Sequence, residues 1–159
     1  ALSWDGSTPE KVAALLAARG MGSSRLTVLE VMGGPRERVR QAPAAAFDVA
    51  GIDPLNTLAV EVVVGAGTEA LPLVPGLPDG HFENDGQLTK SEVRAVTLAA
   101  LAPRRGELLW DVGAGSGSIG IEWALAHADS RVLAVEARAE RAGRIGRNAA
   151  RCGVTQLTV

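Results

Sequence analysis

Residues 111–120 read Asp111-Val112-Gly113-Ala114-Gly115-Ser116-Gly117-Ser118-Ile119-Gly120, and what stands on either side of them decides the fold. Ahead lies Leu108-Leu109-Trp110, an apolar run after Gly106 that suits a short buried strand with an acidic tip. Behind, Ile119, Ile121, Trp123, Ala124 and Leu125 suit a helix packed on a sheet. Arg131 to Glu136 then supplies Val132-Leu133-Ala134-Val135, a second buried strand ending in a carboxylate. The order strand, glycine turn, helix, strand, acid predicts a Rossmann-like α/β sheet.

A side chain at Gly113, Gly115 or Gly117 would forbid the tight turn or hold the backbone away from a ligand lying over it. Glu136 lies 136 − 117 = 19 positions past the last turn glycine, near the roughly 20 residues that place an acid on ribose hydroxyls. Two nucleoside cofactors fit this frame. Gly115-x-Gly117-x-x-Gly120 satisfies the dinucleotide pattern, whereas Asp111-x-Gly113-x-Gly115-x-Gly117 satisfies that of S-adenosylmethionine-dependent methyltransferases. Asp111 favours the second, because a carboxylate at the mouth of the loop repels a pyrophosphate and attracts the ammonium of a methionine moiety. An NAD(P)-dependent oxidoreductase, and a non-catalytic assembly module whose glycines serve only the turn, stand as alternatives.

The chain has 159 residues, 47% hydrophobic and 21% charged, with a net charge of −2. That is a globular composition, with nothing to suggest a nucleic-acid or membrane partner. The single Cys152 has no internal disulfide partner, and no Cys/His cluster has metal-ligand spacing, so no metal and a cytoplasmic setting are expected. No run approaches the ~18 apolar residues of a membrane span.

The remaining elements follow from caps and periods. A helix is expected from Thr8 to Arg19, capped by Ser7 or Thr8 with Glu10 as in a capping box, stopped by Gly20, and burying Val12, Leu15 and Leu16. Strands are expected at Leu26 to Met32 and Thr57 to Val64, with no firm element over Arg36 to Ala46. Gly65 to Gly80 is rich in glycine and proline and reads as a boundary. Thr89-Lys90-Ser91-Glu92 reads as a capping box for a helix to Leu101 that buries Val93, Val96, Ala100 and Leu101. A last helix from Arg138 to Cys152 places Ala142, Ile145, Ala149 and Cys152 on one face, and Thr155 to Val159 begins a third strand. Such a sheet needs further strands, so the sequence reads as part of a longer protein.

Three stretches together, Leu77-Pro78-Asp79-Gly80-His81-Phe82, Leu88-Thr89-Lys90-Ser91-Glu92-Val93-Arg94 and Leu109 through Glu122, resemble the decarboxylating, C15-methylating precorrin methyltransferases of cobalamin biosynthesis. Upstream, Thr8-Pro9-Glu10, Val28-Leu29-Glu30-Val31 and Asp53-Pro54-Leu55-Asn56 are similar to the second half of a tetrapyrrole methylase domain. The resemblance implies a methylase half over residues 1–66, a linker over 67–80 and the first part of a C15 methyltransferase domain over 81–159. It implies a Rossmann-like S-adenosylmethionine methyltransferase sheet, incomplete at its C-terminal end, preceded by an α/β half-domain.

The implied activity is methylation of a precorrin tetrapyrrole at C15, with loss of carbon dioxide from the C12 acetate, and at C5 in the partner domain. The implied cofactor is S-adenosyl-L-methionine, held by Thr89, Asp111, Gly113, Ala114, Gly115, Ser116, Gly117 and Glu136, and the implied assembly is a homo-oligomer. Segments that the family carries beyond both ends of this sequence are missing, so C5 methylation and turnover are not expected of this piece alone. No catalytic acid is identified. His81, Glu83, Asp85 and Lys90 read as solvated loop residues and Arg144, Arg147 and Arg151 as a water-facing stripe, with Trp110 and Trp123 assigned to core packing.

Overall fold

A computed structural model of the chain describes residues 1–68 and 71–159. It divides into two compact units, Ala1–Ala70 and Leu71–Val159. The division falls inside the expected linker, of which Glu69 and Ala70 lie outside the described residues.

In the first unit, helix α1 (Thr8–Ala18) begins with Pro9 in its first turn, where the missing N–H costs nothing. The expected capping box does not form. Ser7 is already αR and gives no side-chain cap, and Asp5 takes the role instead, its Oδ1 accepting the Ser7 N–H at 2.7 Å and the Ser7 hydroxyl at 2.6 Å. Pro9 and Ala13 are buried and Val12 and Leu16 half-buried, but Leu15, expected inside, is exposed because the helix covers the sheet with the neighbouring face.

Strand β1 (Arg25–Glu30) lies between β2 (Arg38–Pro43) and β3 (Asn56–Glu61), antiparallel to both. The first expected strand ends two residues early and the second three, leaving Val62 to Val64 exposed. β2 was not expected. Its strand pattern is carried by arginines rather than apolar residues: Arg38 and Arg40 reach across to Glu30, whose carboxylate is fully buried between them. Ala13, Leu26, Val28, Ala44 and Leu58 form the core of this unit.

The second unit is built from the quoted stretch. Strands β4 (Leu108–Val112), β5 (Arg131–Val135) and β6 (Leu157–Thr158) form a parallel sheet in that order, with Leu108 opposite Arg131 and Val112 opposite Val135. Right-handed crossover geometry demands a helix between parallel neighbours. Helices α3 (Ser118–Ala126) and α4 (Ala139–Arg151) supply it, and α2 (Ser91–Leu101) packs on α3. The core gathers Leu77, Phe82, Leu98, Ile121, Trp123, Val132, Ala134, Ile145 and Ala149.

Three expectations need correction here. β4 is not a buried strand, since the helices cover only the face that carries Leu109 and Asp111. Leu108, Trp110 and Val112 alternate onto the other face and are exposed, so Trp110 is 64% accessible while Trp123 is 5%. Helix α2 buries Arg94 and Leu98, not Val93, Val96, Ala100 and Leu101, which face outward. A buried arginine, which no apolar period announces, sets its orientation. Nor does Thr89 cap α2: the N-cap is Lys90, without a side-chain bond, and the Thr89 carbonyl instead accepts Arg94 Nη1. Residues 71–80 belong to this unit, with Leu77 1% exposed.

Among the described residues no helix is long and apolar enough to cross a membrane, and no His/Cys/Asp/Glu group is placed to hold a metal ion.

Candidate functional site

The turn after β4 is held by the neighbouring strand. The Gly113 and Ala114 N–H groups both donate to the Val135 carbonyl, at 2.8 and 3.1 Å, so the ends of β4 and β5 are tied together and the chain rises over them. At Gly113 the backbone is left-handed, φ 82°, and a Cβ there would meet nothing within 4 Å. That glycine is therefore required by the turn and leaves open space above it. Gly117 is left-handed as well, φ 77°, but a Cβ on it would come within 2.7 Å of Ile145 Cγ2. At Gly120 a Cβ would lie 2.8 Å from Val132 Cγ1, which is the close helix-to-strand approach the third glycine of such a motif permits.

Above the turn lies a cavity of about 440 Å³, lined by Thr89, Asp111, Gly113, Ala114, Gly115 and Ser116 together with Gln87, Leu88 and Arg141. Six of the eight expected cofactor residues thus line one cavity, five from the end of β4 and its turn and Thr89 from the facing segment. Gly117, beneath it, starts α3, and Glu136 stands at the end of β5. Glu136 Oε2 accepts the Gly115 N–H at 2.9 Å and Oε1 the Arg138 N–H at 3.0 Å. These two backbone donors, Arg138 first, hold its carboxyl below the usual range, so it is an anion with lone pairs to spare.

Asp111 has the opposite environment. Burial pushes its carboxyl up, only partly offset by the Gly120 N–H at 3.3 Å from Oδ2. A carboxylate short of partners beside open space is suited to a cationic group.

The second wall of the cavity is carried by the segment 82–90, of which residues 86–89 line it. Glu83, Asp85 and Lys90 are exposed as expected, but the segment is tied to α4 by side-chain pairs. Arg141 Nε donates to Asp85 Oδ2 at 2.8 Å and Arg141 Nη2 to Gln87 Oε1 at 2.6 Å. Arg144 lies 3.4 Å from Asp85, and Arg147 Nε donates to Glu83 at 3.0 Å. The Arg141 bond is the main reason Asp85 is held down at about 2. The expected water-facing stripe is accordingly wrong at Arg144, which is 7% exposed, and Lys90 pairs with Asp79 at 3.2 Å. His81 is buried. The arginines of α4 and the acids they meet come from stretches more than fifty residues apart, beyond what sequence spacing can register.

Sequence reasoning also missed the support beneath this wall. Arg94 Nε donates to Glu122 Oε1 at 2.7 Å and Arg94 Nη1 to Asp79 Oδ1 at 2.9 Å, while Arg94 Nη2 meets the Leu77 carbonyl and its guanidinium lies 4.8 Å from the Phe82 ring centre. Glu122 further accepts the Gly76 and Leu77 N–H groups, at 2.6 and 3.1 Å. The signal was present, since Arg94 and Glu122 each close one of the stretches quoted for the resemblance, but neither has a helical period that marks it.

A parallel sheet with a glycine turn after one strand, a carboxylate at the tip of the next and an open cavity between them defines the Rossmann-like methyltransferase fold. Residues 80–159 match the family model described as "Precorrin methyltransferase domain", and the chain belongs to that family. Over 158 residues it is 55% identical to the precorrin-6Y C(5,15)-methyltransferase [decarboxylating] of Sinorhizobium sp, covering 99% of this chain and 38% of that relative.

Two solved structures are similar. The C-terminal domain of precorrin-6Y C5,15-methyltransferase from Rhodobacter capsulatus is 51% identical with a TM-score of 0.52, over 55% of this chain and 47% of that one. Precorrin-6Y C5,15-methyltransferase from Geobacter metallireducens GS-15 is 33% identical with a TM-score of 0.53, over 56% and 48%. The chain therefore spans well under half the length of the Sinorhizobium relative, and membership in a methyltransferase family sets aside the oxidoreductase alternative.

Proposed function

We propose that the second unit is the cofactor-binding part of an S-adenosylmethionine-dependent methyltransferase that acts on a precorrin, methylating C15 with decarboxylation of the C12 acetate. The observation that carries this is the 440 Å³ cavity whose floor is a glycine turn and whose lining includes the underpartnered Asp111, with the ionised Glu136 hydrogen-bonded to the turn at Gly115. The residues fit the group. Glu136 has free acceptor positions for two ribose hydroxyls, Gly113 leaves room for close backbone approach, and Asp111 can take an ammonium in place of the hydrogen bonds that burial denies it. Thr89 and Ser116 line the same space.

S-Adenosylmethionine, when bound, supplies a sulfonium-activated methyl group. The protein's task is then to hold that methyl in line with an electron-rich ring carbon at ~3 to 3.5 Å and exclude water. Residues 1–66, in the first unit, are proposed to be the second half of the tetrapyrrole methylase that serves C5. Ultraviolet crosslinking with methyl-labelled S-adenosylmethionine tests the assignment. Label in peptides containing residues 113–117 or Glu136 supports it, and label elsewhere, or label displaced by NAD but not by S-adenosylhomocysteine, rejects it.

A further inference from the structure

The cavity has two walls from distant parts of the chain, the glycine turn at 113–117, whose residues 113–116 line it, and the segment at 82–90, whose residues 86–89 line it. Asn148, on α4, reaches behind both. It has no exposed surface. Its Oδ1 accepts the Glu83 N–H at 2.8 Å, and its Nδ2 donates to the Glu83 carbonyl at 3.0 Å and to the Ser116 carbonyl at 2.9 Å. Both amide hydrogens are used, and the oxygen is satisfied.

A carboxamide is the group of this size that can accept from the N–H and donate to the C=O of one residue and still donate to the carbonyl of another. Leucine can do neither, and an ionised aspartate can only accept. The ion pairs of Arg141, Arg144 and Arg147 hold the 82–90 segment by its side chains and do not touch the turn. At Asn148 the main chains of the two walls are fastened to one rigid group, buried where a lost bond is not replaced by water.

We infer that Asn148 is a positioning residue for the cofactor cavity: through one carboxamide it fixes the 82–90 wall in register with the glycine turn, so that the two close on the ligand as a unit. The inference rests on the cofactor reading above and adds the element that couples its two walls. Asn148 does not itself line the cavity, so a role confined to stability would lower the melting temperature and leave the affinity of the folded protein alone.

The test is titration of the full chain and of N148D with S-adenosylhomocysteine at pH 8 and pH 5.5. The substituted carboxyl is buried, so its pKa rises, and once protonated it recovers one donor. The expected result is binding about ten- to a hundredfold weaker than wild type at pH 8, with the gap narrowing at pH 5.5. Equal affinity at both pH values, or a deficit that does not depend on pH, overturns the inference.

Hydrogen exchange covers the case in which N148D fails to fold. In the wild-type chain, saturating S-adenosylhomocysteine slows the Glu83 and Gly117 amides together, and slowing at Gly117 alone overturns the coupling. Should the wild type bind no S-adenosylhomocysteine, the cofactor reading fails separately. The coupling is then read from ligand-free N148S, where exchange must rise at Gly117 as well as at Glu83, and a rise at Glu83 only refutes it.

Discussion

Replacing Arg94 by methionine should cost the second unit as much as truncating one of the large apolar side chains in its core. The guanidinium has no exposed side-chain surface, and the Glu122 carboxylate that faces it at 2.7 Å is 2% exposed. R94M leaves that carboxylate buried with only the Gly76 and Leu77 N–H groups, and it orphans the Leu77 and Thr89 carbonyls and half of the Asp79 pairing. Breaking a buried pair on one side costs about 3 to 5 kcal/mol, because a charge is left without its counterion.

With an m-value of about 1.3 kcal/mol per M for a small unit, the urea midpoint should fall by about 2 to 4 M. Trp123 fluorescence reports on this unit, since that indole is 5% exposed while Trp4, in the other unit, is 95% exposed. The double variant R94M/E122L should recover part of the loss, because both charges are then gone. A midpoint shift under 0.5 M for R94M (about 0.7 kcal/mol), or a double variant as unstable as the sum of its parts, would refute the view that this pair anchors residues 76–89.

E136A should weaken S-adenosylhomocysteine binding by about 1 to 3 kcal/mol through lost ribose bonds and a freed Gly115 N–H, and an unchanged dissociation constant in calorimetry removes Glu136 from the site. G117A and G113A should separate packing from access. The first adds a methyl within 2.7 Å of Ile145 to the strain of its positive φ and should lower stability by about 2 to 4 kcal/mol in urea. The second meets no atom, should cost only the backbone strain of about 1 kcal/mol, and should weaken binding by filling the space above the turn; a larger stability loss for G113A than for G117A contradicts the geometry. Asp85, held at about 2 against an ordinary 3.8, keeps its pairing with Arg141 above that ordinary value and loses it as the pH falls from 3.8 through about 2. A carboxyl-carbon titration by NMR should show that depressed midpoint, and a midpoint at 3.8 would mean the pair does not form in solution.

How much could be read beforehand differs between backbone and side chains. The turn from Asp111 to Gly120, both helices that flank it and the strand ending at Glu136 were legible, because glycine placement and apolar runs are local signals and parallel strands leave long ones. β2 was not, since its alternation is carried by Arg38 and Arg40, which are inward-reaching only because Glu30 waits on the neighbouring strand. The burial of α2 was read on the wrong face for the same reason, because Arg94 is a core residue through Glu122, 28 positions away. Exposure of Trp110 escaped notice because an apolar run does not say which of its two faces is covered. In the site, the residues of the glycine turn were visible, while Arg141, Arg144 and Asn148 were not, since each acquires its role from a loop more than fifty residues earlier.

The most direct trial of the account is calorimetric titration of the full chain with S-adenosylhomocysteine and, separately, with NAD. The predicted outcome is one saturable site for S-adenosylhomocysteine, weakened by E136A and untouched by NAD. A flat S-adenosylhomocysteine titration, or saturable NAD binding that depends on the 113–117 turn, would contradict it.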